Sequence, residues 1–225
     1  MKKAVIFCIL FLVITSGTFA QSDKTSLSLA VSGAAKANRA QLASYVWTRT
    51  VQVFIGGELK TTIVSSLAIG PDGKLVTTAV SNTPTSAAPT KGIRGAVAKN
   101  KIDDMKTYID EAVTLSASYM YMSPGKMVDY FNAAGISQSG NTITVSGSNV
   151  NQPNDQVLLM LNSTTLAYIS ETFKTAMSNG DAVAGTVNYK TFDNGLTAID
   201  NLDLELPAKT MKLMVSNTNY AKKLQ

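Results

Sequence analysis

The strongest constraint on the fold is a period of two in hydrophobicity that recurs along most of the chain. In the run Tyr45–Ile55, apolar residues fall on one side of an extended chain, while Thr48 and Thr50 fall on the other. Alternation of this kind predicts a β-strand with one buried and one solvated face. Gly56-Gly57 follows directly, and glycine accepts the positive φ of a tight turn. This strand and the next are therefore expected to form a hairpin.

The same reasoning predicts nine strands, separated by clusters of turn-forming residues. The predicted strands are Tyr45–Ile55, Leu59–Ile69, Leu75–Val80, Thr142–Ser146, Gln156–Asn162, Leu166–Ala176, Ala182–Phe192, Leu196–Leu206 and Thr210–Tyr220. Asn194-Gly195 lies between two alternating runs and is a strong hairpin signal. Because the strands do not alternate one by one with helices, the sheet is expected to be antiparallel.

Helical spacing of apolar residues predicts three helices. The first spans Thr25–Ser44, and the most regular apolar stripe lies within Ile102–Met120. Ser123-Pro124 is typical of a helix start, and the short helix that begins there is expected to stop at Gly135. Each helix has an apolar face that needs a sheet to cover it. The chain is thus predicted to form one α+β domain, with an exposed loop at 82–95.

The first 20 residues have the three parts of a secretory signal peptide. Lys2-Lys3 is basic, Ala4–Ile14 is apolar, and Thr18-Phe19-Ala20 is a small-x-small cleavage site. The apolar run is shorter than the roughly 20 residues that a membrane-spanning helix needs. We therefore expect cleavage after Ala20, a mature domain over 21–225 with no transmembrane segment, and a periplasmic or secreted location.

The residue inventory excludes several classes of chemistry. The chain has no histidine, and its one cysteine, Cys8, lies within the predicted signal peptide. The mature protein is therefore expected to lack Ser-His and Cys-His catalysis, Cys/His zinc sites, haem with a His or Cys ligand, and disulfides. The net charge of +5 falls to +3 once Lys2 and Lys3 are removed, and the remaining lysines are scattered. We expect no nucleic-acid partner and no cofactor.

Two short motifs have the residue types of chemical sites. Ser123-Pro124-Gly125-Lys126 matches the S-x-x-K pattern of penicillin-binding enzymes, but a helix cap explains the same residues. Asp203 and Glu205 share one strand face opposite a leucine-rich face, a pattern typical of a solvated surface rather than a calcium loop. The chain is accordingly predicted to be neither an enzyme nor a metal-binding protein.

The first hairpin and the order of elements resemble a known superfamily. The stretch Tyr45-Val46-Trp47-Thr48-Arg49-Thr50-Val51-Gln52-Val53, followed by Gly57-Glu58-Leu59-Lys60, looks like the first hairpin of exported bacterial proteins of this shape. The order of elements over residues 25 to 220 resembles the periplasmic lipoprotein carrier (LolA/LolB-like) superfamily. This resemblance implies a curved, unclosed antiparallel sheet, a half-barrel, wrapped around about three helices and enclosing an apolar cavity.

The apolar side of the predicted sheet is the candidate binding surface. Its proposed ligand-contacting residues are Trp47, Val51, Val53, Ile63, Leu67, Leu204, Met211 and Leu213, with Met105 and Met120 on the covering helix. Methionine side chains adapt to ligands of varied shape. We predict a non-enzymatic protein that binds a lipid, an acyl chain or another amphiphile. The alternative is a structural or protein-interaction module of the cell envelope, in which the same residues form a filled core and no ligand binds.

Overall fold

The computed structural model describes residues 21–84 and 92–223. The predicted signal peptide and its cleavage site lie outside the described residues, and no described helix is long and apolar enough to cross a membrane. The helices are α1 Gln21–Leu42, α2 Gly92–Met120 and α3 Pro124–Ala133. The strands are β1 Tyr45–Ile55, β2 Glu58–Ile69, β3 Leu75–Pro84, β4 Gly135–Ser139, β5 Thr142–Ser148, β6 Gln156–Asn162, β7 Tyr168–Ala176, β8 Ala182–Thr191, β9 Thr197–Leu206 and β10 Met211–Lys222.

All ten described strands form one antiparallel sheet, in the order β3-β2-β1-β10-β9-β8-β7-β6-β5-β4. Strands β3 and β4 are the two edges and do not pair with each other, so the sheet is curved but does not close into a barrel. The predicted class, an α+β fold with an unclosed antiparallel sheet and three helices, is confirmed. Strand β10 pairs with β1 and so joins the first hairpin to the last one.

One strand and several element boundaries differ from the sequence-based predictions; most boundaries move by a few residues, and the larger differences are at β3, α1 and α2. Strand β4 was missed because only Ile136 of its five residues is buried, which leaves no alternation to detect. Strand β3 continues to Pro84 and α2 already begins at Gly92. The predicted loop at 82–95 therefore overlaps a strand and a helix at its ends, and residues 85–91 lie outside the described residues.

The helices lie against the concave face and are tied to it by polar contacts. Near the start of α1, the Nζ of Lys24 donates to the carbonyl oxygen of Ala134 at 2.7 Å. Near its end, the side-chain amide of Asn38 donates to the carbonyl oxygen of Thr197 at 2.6 Å and accepts from the backbone nitrogen of Thr197 at 2.7 Å. These bonds hold α1 between the end of α3 and strand β9.

The centre of the concave face is a cross-strand row of buried side chains. We call it the closed row; its members are Val53, Leu213, Leu204, Gly185, Phe173 and Val157. All six residues are buried, so the protein's own side chains fill the space above them. A Cβ built on Gly185 would overlap the ring of Phe173, so this position requires glycine.

Candidate functional site

A second row crosses the same face four residues further along β1, β10 and β8. We call it the tyrosine row; its members are Arg49, Asn217, Ile199, Tyr189 and Tyr168. Asn217 is buried, while the other four are only half-buried. The strand register shifts between Val46 and Thr48 and again between Asn188 and Tyr189. Such irregularities increase local twist and redirect side chains, so this part of the face is less regular than the closed row.

Aromatic rings line and flank the tyrosine row. The rings of Tyr168 and Tyr189 meet edge to face, with centroids 5.3 Å apart. Tyr220 stacks on Trp47 at 5.7 Å and donates from its hydroxyl to the carbonyl oxygen of Ile199 at 2.8 Å. Tyr121 follows the end of α2 and is 51% exposed. Trp47 is buried, whereas Tyr168, Tyr189 and Tyr220 are half-buried, so these three rings and Tyr121 leave aromatic surface partly open, which suits the apolar part of an amphiphile.

Glu171 lies on the inner face of β7, beside the tyrosine row, and is only 2% exposed. Its Oε1 has no hydrogen-bond partner among the described residues, and its Oε2 accepts only from the hydroxyl of Tyr189, at 3.4 Å. Burial raises the pKa of Glu171 to about 7, although the bond from Tyr189 opposes this rise. Near neutral pH the side chain is therefore a mixture of the neutral acid and the carboxylate.

Arg49 lies on the inner face of β1, directly opposite Asn217 of β10. Its Nε donates to Oδ1 of Asn217 at 3.1 Å. Burial lowers the pKa of the Arg49 guanidinium, while its electrostatic neighbours Tyr121 and Tyr220 oppose that change. An arginine nevertheless stays protonated at physiological pH. The tyrosine row thus contains a permanent positive charge within a largely aromatic surface.

Asp155 shows how this protein satisfies a buried carboxylate elsewhere. Its oxygens accept from the backbone nitrogens of Val150, Asn151 and Gln152 at 2.7, 2.8 and 3.1 Å, and from the hydroxyl of Tyr119 at 2.9 Å. Burial alone would raise the pKa of Asp155, but these four hydrogen bonds outweigh it and keep the pKa below its usual range. Asp155 therefore fastens the 150–152 turn to α2, a structural role that leaves no oxygen free for a ligand.

The ten residues predicted to contact a ligand fall into several environments. Four are buried in the main core, and three more are half-buried against it. The core residues are Val53, Leu204, Met211 and Leu213, and those packed against them are Val51, Met105 and Met120. Trp47 and Leu67 belong to a second, smaller core with Ile69. Ile63 is half-buried opposite Val51.

The two motifs weighed from the sequence have ordinary structural contacts. The Ser123 side chain accepts from the backbone nitrogen of Lys126 at 3.4 Å and caps α3, as predicted. The Nζ of Lys126 donates to Oδ1 of Asn151 at 2.6 Å rather than to Ser123. Asp203 forms an ion pair with Lys212 at 3.0 Å, away from the buried leucines of the same strands. Neither contact places a base beside a nucleophile.

The residues that the sequence predicts for the site do not include Arg49, Glu171, Tyr189 or Tyr121. The alternation already contained a signal for two of them. Arg49 occupies an inward position between Trp47 and Val51, and Glu171 does so two residues before the buried Phe173. A charged residue at an inward position of a strand is the anomaly that identifies this site. Tyr121 lies beyond a helix end, where periodicity carries no information.

Solved structures with a similar fold share little sequence with this chain, as two of them illustrate. A DUF1329 family protein from Desulfovibrio piger has 8% identity and a TM-score of 0.41, covering 90% of this chain and 93% of its own. A LolA superfamily protein from Nitrosomonas europaea has 9% identity and a TM-score of 0.36, covering 88% and 94%. No protein-family model and no curated protein sequence matches the chain. At these values neither structural similarity bears on function, which we take from the chain's own residues.

Proposed function

We propose that the protein is an exported, non-enzymatic binding protein that holds an amphiphile against the tyrosine row. The observation that carries this proposal is the half-burial of Tyr168, Tyr189 and Ile199 on the same inner face whose closed row is completely covered. Aromatic and aliphatic surface left partly open on a concave face is the usual setting of a small-molecule site. The predicted signal peptide supports the export part of the proposal.

The open and closed parts of the face have different roles in this proposal. Leu204 and Leu213 are fully buried, and we assign them to the core rather than to ligand contact. Val51 and Ile63 pair with each other beside the tyrosine row and are half-buried. We assign the apolar part of the ligand to these residues and to the tyrosine rings, because covering them removes apolar surface from water.

Two measurements test this function. Native mass spectrometry of the purified protein, followed by solvent extraction, should reveal a copurifying amphiphile. Titration with dodecanoate below its micelle concentration should change the fluorescence of Trp47, the one tryptophan of the chain, in a saturable manner. Ile199→Glu should weaken this binding in a folded protein, while Met214→Glu on the outer face should not. No copurifying lipid together with no saturable change would reject the proposal.

A second candidate function is supported by the exposed edge of the sheet. Leu75, Val76 and Val80 of edge strand β3 are exposed, and apolar edge strands are suited to pairing with another chain. This candidate corresponds to an interaction module of the cell envelope with a filled core. It predicts that no lipid copurifies and that Val80→Lys abolishes a cross-link to an envelope protein, whereas Lys190→Gln on β8 leaves the cross-link intact.

A further inference from the structure

Arg49 lacks a counter-charge. Among the described residues, no carboxylate lies within 4.0 Å of its guanidinium nitrogens. Its hydrogen bond within this part of the chain goes from Nε to Asn217, which leaves both terminal nitrogens without a partner there. Arg49 is half-buried, so its charge is only partly solvated, and pairing the free terminal nitrogens with an anion would supply charge-assisted hydrogen bonds.

The nearby acidic groups do not supply that counter-charge. The electrostatic neighbours of Arg49 are the phenols of Tyr121 and Tyr220, which are neutral at physiological pH. Glu171 interacts with Tyr189, on the other side of the row, and it is partly protonated near neutral pH. Asp200 is, like Arg49, an electrostatic neighbour of Tyr220, but its carboxylate is not within 4.0 Å of the Arg49 guanidinium nitrogens. The protein thus leaves a guanidinium fork free within a half-open, aromatic surface.

We propose that the ligand of the tyrosine row is an anionic amphiphile, whose carboxylate or phosphate group pairs with the two terminal nitrogens of Arg49. This inference rests on the proposed function and specifies the head group of the ligand. The planar fork of a guanidinium matches two oxygens of a carboxylate or phosphate and binds them through charge-assisted hydrogen bonds. Tyr121, an electrostatic neighbour of Arg49 that is 51% exposed, supplies a hydroxyl donor in the same region.

Trp47 is connected to this site through Tyr220. Its ring stacks on Tyr220, which is in turn an electrostatic neighbour of Arg49, so its fluorescence can follow ligand binding.

The fluorescence titration uses three probes: dodecanoate, dodecyl phosphate and the uncharged ester 1-monododecanoylglycerol, all below their micelle concentrations at pH 7.5. They share a twelve-carbon chain and differ in the head group. The wild-type protein should bind at least one anion about tenfold more tightly than the ester, because the charged hydrogen bonds are lost with the ester.

The variants separate the head-group contact from general binding. Arg49→Gln should remove the preference for anions, and Arg49→Lys should retain part of it, since it keeps the charge but loses the fork. Lys212→Gln, which removes one positive charge from the outer face of β10, should leave the preference unchanged. Circular dichroism checks that each variant is folded. If Arg49→Gln does not fold, the wild-type preference and its reduction in Arg49→Lys decide the question.

The possible outcomes distinguish the two proposals. A preference for dodecanoate assigns the site to a carboxylate, and a preference for dodecyl phosphate assigns it to a phosphate head group. Equal wild-type affinity for all three probes, or an anion preference that survives Arg49→Gln, would overturn the assignment to Arg49 while leaving the proposed function intact. If none of the three probes binds saturably, both the proposed function and the assignment of the head group to Arg49 are overturned.

Discussion

The closed row and the tyrosine row lie on one face of one sheet, separated by a single inward row that runs from Val51 to Glu171, yet they differ in both chemistry and exposure. Along β1 the inward position changes from Val53 to Arg49, and along β8 it changes from Gly185 to Tyr189. The closed row is buried throughout, whereas most of the tyrosine row is half-exposed. The comparison teaches that an inward direction does not by itself make a position part of the core. Covering by other elements decides that, and the cover is complete over one row only.

The most severe way to break this comparison is to place a charge in the closed row. Leu213→Glu would bury a carboxylate without a partner at a fully buried site, and we expect a loss of about 4 kcal/mol or more in the free energy of unfolding. Met214→Glu, at the adjacent outward position that is 38% exposed, should change it by less than about 1 kcal/mol. Urea denaturation measures both. Similar stabilities for the two variants would show that the closed row is open to water.

The comparison is sharpened by the pH dependence that Glu171 confers. Its pKa is about 7 in the folded protein against an ordinary value of 4.5, so the folded state keeps a proton that the unfolded state has released between these pH values. Stability should therefore fall as pH rises from 4.5 to 7, by up to about 3 kcal/mol.

Glu171→Gln should remove this contribution, because the amide does not titrate. Thermal denaturation of wild type and variant at several pH values in this range gives, for each protein, the slope of stability against pH, and these two slopes are compared. The control is Glu205→Gln at an exposed position of β9, which should retain the wild-type slope. Parallel slopes for wild type and Glu171→Gln would show that the carboxyl is solvated rather than buried beside the tyrosine row.

A smaller effect is expected when a methyl group is added within the closed row. Gly185→Ala would force the new Cβ against the Phe173 ring, and overpacking of this kind costs about 2 kcal/mol. Gly33→Ala in α1 is the matched control, because its Cβ would meet nothing within 4 Å. The control should be neutral or slightly stabilising, since alanine favours the helix. A neutral Gly185→Ala would mean that Phe173 has room to move and that the row is not tightly filled.

The smallest expected effect tests the link between Glu171 and the tyrosine row. Tyr189→Phe removes the hydroxyl that donates to Oε2 of Glu171, which should cost about 1 kcal/mol. Because that hydrogen bond opposes the rise in the pKa of Glu171, its loss should move the pH window of the stability change upward. Tyr45→Phe, at the start of β1, should leave the window in place. If Tyr189→Phe leaves the pH window of the stability change in place, the hydroxyl of Tyr189 does not influence the pKa of Glu171.

Local sequence was sufficient for much of the fold. Gly56 and Gly57 adopt φ values of +60° and +82°, as the predicted hairpin turn requires, and Ser123 caps α3 as expected. The alternation correctly assigned Leu204 and Leu213 to the inner face and Asp203 to the outer one. These features depend on backbone freedom, capping and the two-residue period of a strand, all of which are properties of neighbouring residues.

The site could be predicted only in part, because its members come from distant parts of the chain. Arg49 and Asn217 are separated by almost the whole domain and meet only because β10 pairs with β1. Short-range periodicity indicates that Trp47 and Leu213 both face inward, but not that they belong to different cores. The register shift next to Tyr189 is likewise a product of pairing between two strands rather than of either strand's own sequence.

The sequence by itself determined the strands, the turns and which face of each strand turns inward, since these follow from local conformational preferences and from alternation. The tertiary structure alone decided which inward positions are filled and which stay partly open. Burial depends on what the helices and neighbouring strands place above a side chain, and those contacts are non-local. For that reason the same inward direction gives Leu204 a dry core and gives Arg49 and Tyr189 a half-open surface.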